Sequence, residues 1–368
     1  MFSLRIAELA LPGGDRSRSD LLDWLASSLC LVRRRSDDAT GQVAASPLLR
    51  LLDDTFLSQP LQGHEALDLA DRLAVSPATL HHHLGRLAQA RLISSHTHRG
   101  EGSRIYFLRT GSLTGAIDLM LGESRTVLGL RLEEGREWMD DISGKHRIEQ
   151  PDDLPLRIWI QERVPAARSA RHGAHTAWLA DLGLLGDRPG RSLDDESLAI
   201  RLWEHMLAQD GPSSLDELAQ SFPKENRSRL QRMLENHRAA GFLQRVPRHD
   251  RLAHALWNMM QTQHLRRGDE WLLSRGGLVR QLGEKRAGSL TSRLSKGSLT
   301  AEHVSKELGE VPVEDLMLLL NLLGGRLPFG YQWSAESYSG VISIVTDRCE
   351  RALRRIRRVA ELLEATAG

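Results

Sequence analysis

Thr79, His81, His82 and Arg86 fall on one side of a helical repeat, opposite Leu80, Leu84 and Leu87. Hydroxyl, imidazole and guanidinium groups on an exposed helix face can donate to and accept from base edges in a DNA major groove. Ser76 stands where a helix N-cap accepts a backbone N–H, and Pro77 suits the first helical position, where no donor is needed. Arg99 and Arg104 flank Gly100-Glu101-Gly102-Ser103, a hairpin-tip sequence whose arginines would reach phosphates or a minor groove. A second, more basic stretch holds Lys224, Arg227, Arg229 and Arg232. Those side chains suit DNA backbone contact.

Other chemistry is less supported. His81, His82 and His83 are consecutive, so on a helix they point about 100° apart and cannot share one metal ion. His172 and His175 have helical spacing but no third ligand nearby. Cys30 and Cys349 are the only cysteines, which leaves no disulfide framework and no cysteine-rich metal site. Walker-type loops, GxGxxG after a strand, and nucleophile–histidine motifs are absent. The expectation is a protein that is not an enzyme and that uses no cofactor or metal.

The elements that must position these groups read as follows. Leu69, Ala70 and Leu73 give a short helix one apolar face, Val75 breaks it, and Ser76-Pro77 begins the next. After Leu92-Ile93 the period shifts towards two, and Arg104-Ile105-Tyr106-Phe107 returns. This helix-turn-helix and hairpin resembles the winged-helix repressors of the ArsR type, with Ser76, Thr79, His82, His83, Leu84 and Leu87 at the matching places. The resemblance covers about a fifth of the chain and implies a winged helix that binds DNA. The paired cysteines of the metal sensors are missing, so metal sensing is not implied. Winged helices also serve as protein-interaction modules, and that alternative stands beside DNA contact.

The chain has 368 residues, a formal net charge of +1 and few aromatics, 5%. That length suggests several domains, and the near-neutral balance excludes a protein basic throughout while permitting a local basic face. The expected fold class is mainly α with small β-hairpin wings, in tandem winged helix-turn-helix units. Residues 1–45 read as an N-terminal strand and helix, ending at Arg33-Arg34-Arg35. Residues 46–115 form the DNA-reading unit, and 116–190 a helical connector with a possible dimer interface. Residues 191–265 repeat the first unit more weakly, with Gly241-Phe242-Leu243 echoing Arg91-Leu92-Ile93 but no wing, because Pro247 and Asp250 interrupt it. Residues 266–297 read as a linker. A third unit at 298–346 would use Leu316–Leu323 as its Leu-rich second helix and Tyr331-Gln332-Trp333 with Val341–Val345 as its wing hairpin, and would pack on protein. Residues 347–368 read as a basic amphipathic helix.

The partners implied are double-stranded DNA, a second copy of the chain, and a protein bound through the Leu-rich third unit. No stretch approaches a membrane span, and Glu8 with no basic start argues against a signal peptide, so a cytoplasmic, nucleoid-associated protein is expected. Two functions fit: a sequence-specific transcription regulator, or a tandem winged-helix scaffold subunit of a DNA-handling complex. The second layout resembles chromosome-condensation accessory subunits and plasmid replication initiators.

Overall fold

The computed structural model describes residues 2–13, 17–32, 46–97, 104–139, 142, 154–162, 173–185 and 196–366. The chain is mainly helical with small antiparallel sheets and divides into two units. Unit 1 comprises Met1–Gln209, Gln231–Leu243 and Trp333–Gly368; unit 2 comprises Asp210–Leu230 and Gln244–Gln332.

In unit 1, β1 (Ser3–Ala7) pairs antiparallel with β5 (Arg157–Gln161), Leu4 opposite Ile160 and Ile6 opposite Ile158. The alternation of Phe2, Leu4 and Ile6 expected from sequence buries that face. Helix α1 (Arg18–Ser28) is capped by Ser17. Helix α2 (Pro47–Arg50) runs into a π-helical stretch, Leu51–Leu57, which turns Asp53 towards Arg18 at 2.7 Å. The short β2 (His64–Glu65), α3 (Ala66–Leu73), α4 (Pro77–Gln89), β3 (Ile93–Thr97) and β4 (Arg104–Leu108) follow. They form a three-stranded sheet in the order β2-β4-β3, with two helices between the first and second strands. Arg91, left-handed at φ 59°, ends α4, and Leu92 N–H donates back to Leu87 at 3.0 Å. That is the turn that closes a helix and starts a strand. Ser112 then caps α5 (Leu113–Glu134), followed by α6 (Arg136–Met139) and α7 (Ala174–Asp181).

The same element order recurs. Helix α8 (Leu198–Leu207) is followed by an extended Ser213, α9 (Leu215–Ser221), α10 (Arg227–Ala239) and β6 (Leu243–Pro247). Leu80, Leu84, Ala90 and Leu92 have buried counterparts 150 residues on in Leu230, Leu234, Ala240 and Phe242. Gly241, left-handed at φ 92°, stands where Arg91 does, and Phe242 N–H donates to His237 at 3.0 Å. A wing was not expected here, yet β6 has a partner: β7 (Phe329–Trp333). Ser213 exchanges both backbone hydrogen bonds with Tyr331, at 2.9 and 2.8 Å, as β2 pairs with Tyr106 in the first copy. The third repeat is therefore overturned, because its first presumed wing strand completes the second copy's sheet. Its other presumed strand, Val341–Val345, lies within α15 (Tyr338–Ala365), where Val341 and Val345 are buried one turn apart.

Between β6 and β7, unit 2 holds a bundle of α11 (Leu252–Leu273), α12 (Leu278–Ser295), α13 (Ala301–Leu308) and α14 (Val313–Leu322). The stretch expected as a linker, 266–297, is mostly helix and supplies Leu272, Leu278, Leu290 and Leu294 to the bundle core. Gly268 and Gly283, at φ 79° and 80°, interrupt α11 and α12. Helix α14 is not enclosed: Leu318 is 46% exposed.

Helix α15 packs antiparallel along α5 in unit 1. Glu364 accepts from the N–H groups of Leu113 and Thr114, Arg357 pairs with Asp118, Arg125 with Glu350, and the Tyr338 hydroxyl donates to Leu132 O. The arginines of the C-terminal helix are thus largely engaged within the chain, since Arg351 and Arg355 also reach Glu8. Of the apolar α5 residues in the stretch expected to hold a dimer interface, Met120 and Leu128 are buried, whereas Leu119 and Leu130 stay exposed.

Next to this seam, Trp138, His175, Trp178, Trp203, His237, Phe242 and Trp333 form an aromatic cluster with stacked, tilted and edge-to-face ring pairs. His237 occupies the place of Leu87 and is 1% exposed, 5.1 Å from the Trp203 ring, with neither ring nitrogen hydrogen-bonded among the described residues. Burial without a partner holds its pKa down at about 4, against 6.5 for an ordinary imidazole. The unfolded chain therefore takes up a proton between these values while the folded chain does not. Stability is whole above pH 6.5 and falls by about 1.4 kcal/mol per pH unit as pH drops towards 4. Urea titrations of wild type and His237→Leu across this range should show that slope lost in the variant; an equal slope in both would assign the acid sensitivity elsewhere.

Candidate nucleic-acid interface

The first copy presents its α4 outward. Ser76 Oγ accepts from Thr79 N–H at 3.2 Å and shares a 2.8 Å hydrogen bond with the Thr79 hydroxyl, which fixes the first turn. Leu80, Leu84 and Leu87 are buried beneath it, while Ser76, Thr79, His81, His82, Gly85 and Gln89 are exposed. His83 is half-buried, and burial, followed by the charges of His82 and Arg86, lowers its pKa. A neutral His83 supports the helix from beneath and leaves His81 and His82 on the outer face.

Arg86 departs from expectation. It is half-buried, and its guanidinium donates to Cys30 O at 2.7 Å. Cys30, at φ 52°, ends α1 in a left-handed turn that aims this carbonyl at α4. Arg86 is thus a tie between helices and not one of the exposed groups. Sequence could not show this, because the acceptor is a backbone atom 56 positions away.

On the hairpin, Arg104 is exposed at the start of β4, opposite Thr97, and Ser95 and His96 are exposed on β3. Arg99 and the Arg33-Arg34-Arg35 triplet lie outside the described residues. Arg72, exposed on α3, adds a cation beside the first copy's helix pair and was not picked out from sequence. Neither Arg72 nor Arg104 has a carboxylate partner among the described residues. Elsewhere in unit 1, Arg18, Arg109 and Arg125 are each held by a carboxylate.

The second copy differs in its charges. Lys224 is exposed, but Arg227 pairs with Asp216 and Arg229 pairs with Glu225 at 3.1 Å. The basic face read from Lys224, Arg227 and Arg229 is thereby partly neutralised. Lys224, Arg227 and Arg229 belong to unit 2, and the α4 group to unit 1.

No family model, curated protein or solved structure matches the chain.

The two roles on α4 separate experimentally. Arg86→Ala should cost about 1–2 kcal/mol of stability, since it removes a charged donor from a half-buried carbonyl. His82→Ala should stay within about 0.5 kcal/mol of wild type, as an exposed position does. Thermal denaturation of both variants checks this ordering, and a reversed ordering would return Arg86 to the outer face.

Proposed function

We propose that residues 46–115 are a winged helix-turn-helix that binds double-stranded DNA, and that the protein is a sequence-specific transcription regulator. The observation that carries the reading is the outer face of α4: a capped, well-supported helix whose exposed first turns keep Thr79, His81 and His82 in place of apolar groups. The order of helices and strands, and the β2-β4-β3 sheet beside them, support it. In this reading α4 enters the major groove with its N-terminal half against base edges, and Arg104 with Arg99 touches phosphates from the hairpin. Ser76 orients the first turn and Arg86 holds the helix to α1.

A second copy of the chain remains a partner in this reading: α15 occupies one face of α5, and Leu119 and Leu130 on α5 are exposed. One chain then engages one half-site. The second reading, a tandem winged-helix scaffold in a larger DNA-handling complex, is favoured by the bundle inserted between β6 and β7, which a simple repressor does not need.

Selection from a random duplex pool tests both. The regulator reading expects an enriched motif with two half-sites about one helical turn apart. Salt-sensitive retention with no enriched motif favours the scaffold, and no retention overturns DNA binding by the first copy. On the selected site His82→Ala should cost about 1–3 kcal/mol and little on random sequence. Arg99→Ala with Arg104→Ala should weaken all sequences alike and flatten the slope of log affinity against log salt by about 2; an unchanged slope removes the hairpin from the interface.

A further inference from the structure

The bundle inserted into the second copy is divided in charge. From Leu265 to Lys296 stand eight lysines or arginines against three carboxylates, whereas Gly297 to Gln332 holds two against five. Of the three carboxylates in the basic half, Asp269 is engaged by Ser295 Oγ at 2.5 Å and His264 at 3.0 Å. Arg286 pairs with Glu310 at 2.8 Å, but Arg266, Arg275, Arg280, Lys285 and Lys296 are exposed with no carboxylate partner among the described residues. Arg293 is exposed too, with the His303 ring at 3.4 Å and no carboxylate partner among the described residues.

The α12 cations are arranged. Beyond the break at Gly283, Lys285, Ser292 and Lys296 recur at spacings that place them within about 20° of one line along the helix. Arg293 lies one step to the side, and Gly288 lies between them with open space where a side chain would be. The opposite face, with Ala287, Leu290 and Leu294, is buried in the bundle. The result is a cationic strip about 16 Å long with a low middle, on which a row of negative charges can approach the helix closely. Glu284 and Asp269, which accepts from Ser295 Oγ, flank one side of it, and Glu307, which accepts from Ser289 Oγ at 3.2 Å, flanks the other. No apolar side chain stands among Lys285, Gly288, Ser292, Arg293 and Lys296, so the strip lacks what an interfacial membrane helix inserts.

We propose that this α12 face is a second nucleic-acid surface, which holds the phosphate backbone of duplex DNA without reading sequence. It goes beyond the α4 reading and lies in the other unit. Repeated positive charge on a solvent-facing helix, without carboxylate partners among the described residues, matches the repeated negative charge of the duplex, and each phosphate neutralised releases a counterion.

The test uses the full chain, a random-sequence duplex of about 30 base pairs (several turns, longer than one module covers) and a salt titration. Lys285→Ala, Arg293→Ala and Lys296→Ala together should lower the log–log salt slope by about 2–3. The charge-keeping set Lys285→Arg, Arg293→Lys and Lys296→Arg should retain the wild-type slope, which excludes a folding defect. An unchanged slope in the alanine set overturns the proposal, as does an equal loss in both sets. Retention on vesicles rich in phosphatidylserine, with none on duplex, overturns it in favour of a membrane surface. Failure here is separable from failure of the α4 reading, because motif enrichment in the random pool reports α4 alone.

Discussion

Unit 1 depends on the seam between α5 and α15. Each helix continues from the last strand of one copy, each begins at a capping serine followed three residues later by glycine, and they run antiparallel along each other. Ile117, Met120, Leu121 and Leu128 on α5 and Val345, Leu353, Ile356 and Leu363 on α15 are all buried. Each is worth about 1.5–3 kcal/mol if fully withdrawn from water, before the entropy of ordering is counted. Polar ties at both ends and in the middle, from Glu364 to Tyr338, set the register of that burial. The buried stripe of α5 is thus closed inside one chain, while Leu119 and Leu130 stay exposed.

Much of the first copy was legible because its contacts are local. The β3–β4 hairpin closes within sixteen residues, from Ile93 to Leu108, so alternation and turn composition report it directly. The second copy's sheet was missed because β6 finds β7 only after four helices, and no local pattern announces so distant a partner. Pro247 did not break that strand; it ends it. Val341–Val345 misled for a different reason. A run of β-branched residues favours a strand in isolation, but burial of Val341 and Val345 on one helical face decided the outcome. The exposed residues of α4 followed from helical phase, whereas the role of Arg86 depends on a carbonyl presented by another helix.

The two copies share a framework and differ where function would act. Leu87 in the first is His237 in the second, set in an aromatic cluster, and Arg91 is Gly241 at the same left-handed turn. The first copy keeps Arg72 and Arg104, which have no carboxylate partner among the described residues, beside an open helix. The second spends Arg227 and Arg229 on its own carboxylates and carries a four-helix bundle between its sheet strands. A division of labour follows under the DNA-binding reading: sequence recognition in the first copy, and backbone contact through the inserted bundle.

Hydrogen–deuterium exchange of the full chain, with and without a duplex carrying the selected site, addresses the central claim most directly. Slower exchange over the first turns of α4, at Ala78–His82, and along β3 and β4 is the expected result. Unchanged exchange across residues 76–108, with protection confined to other segments, would contradict the assignment of the first copy as the sequence-reading element.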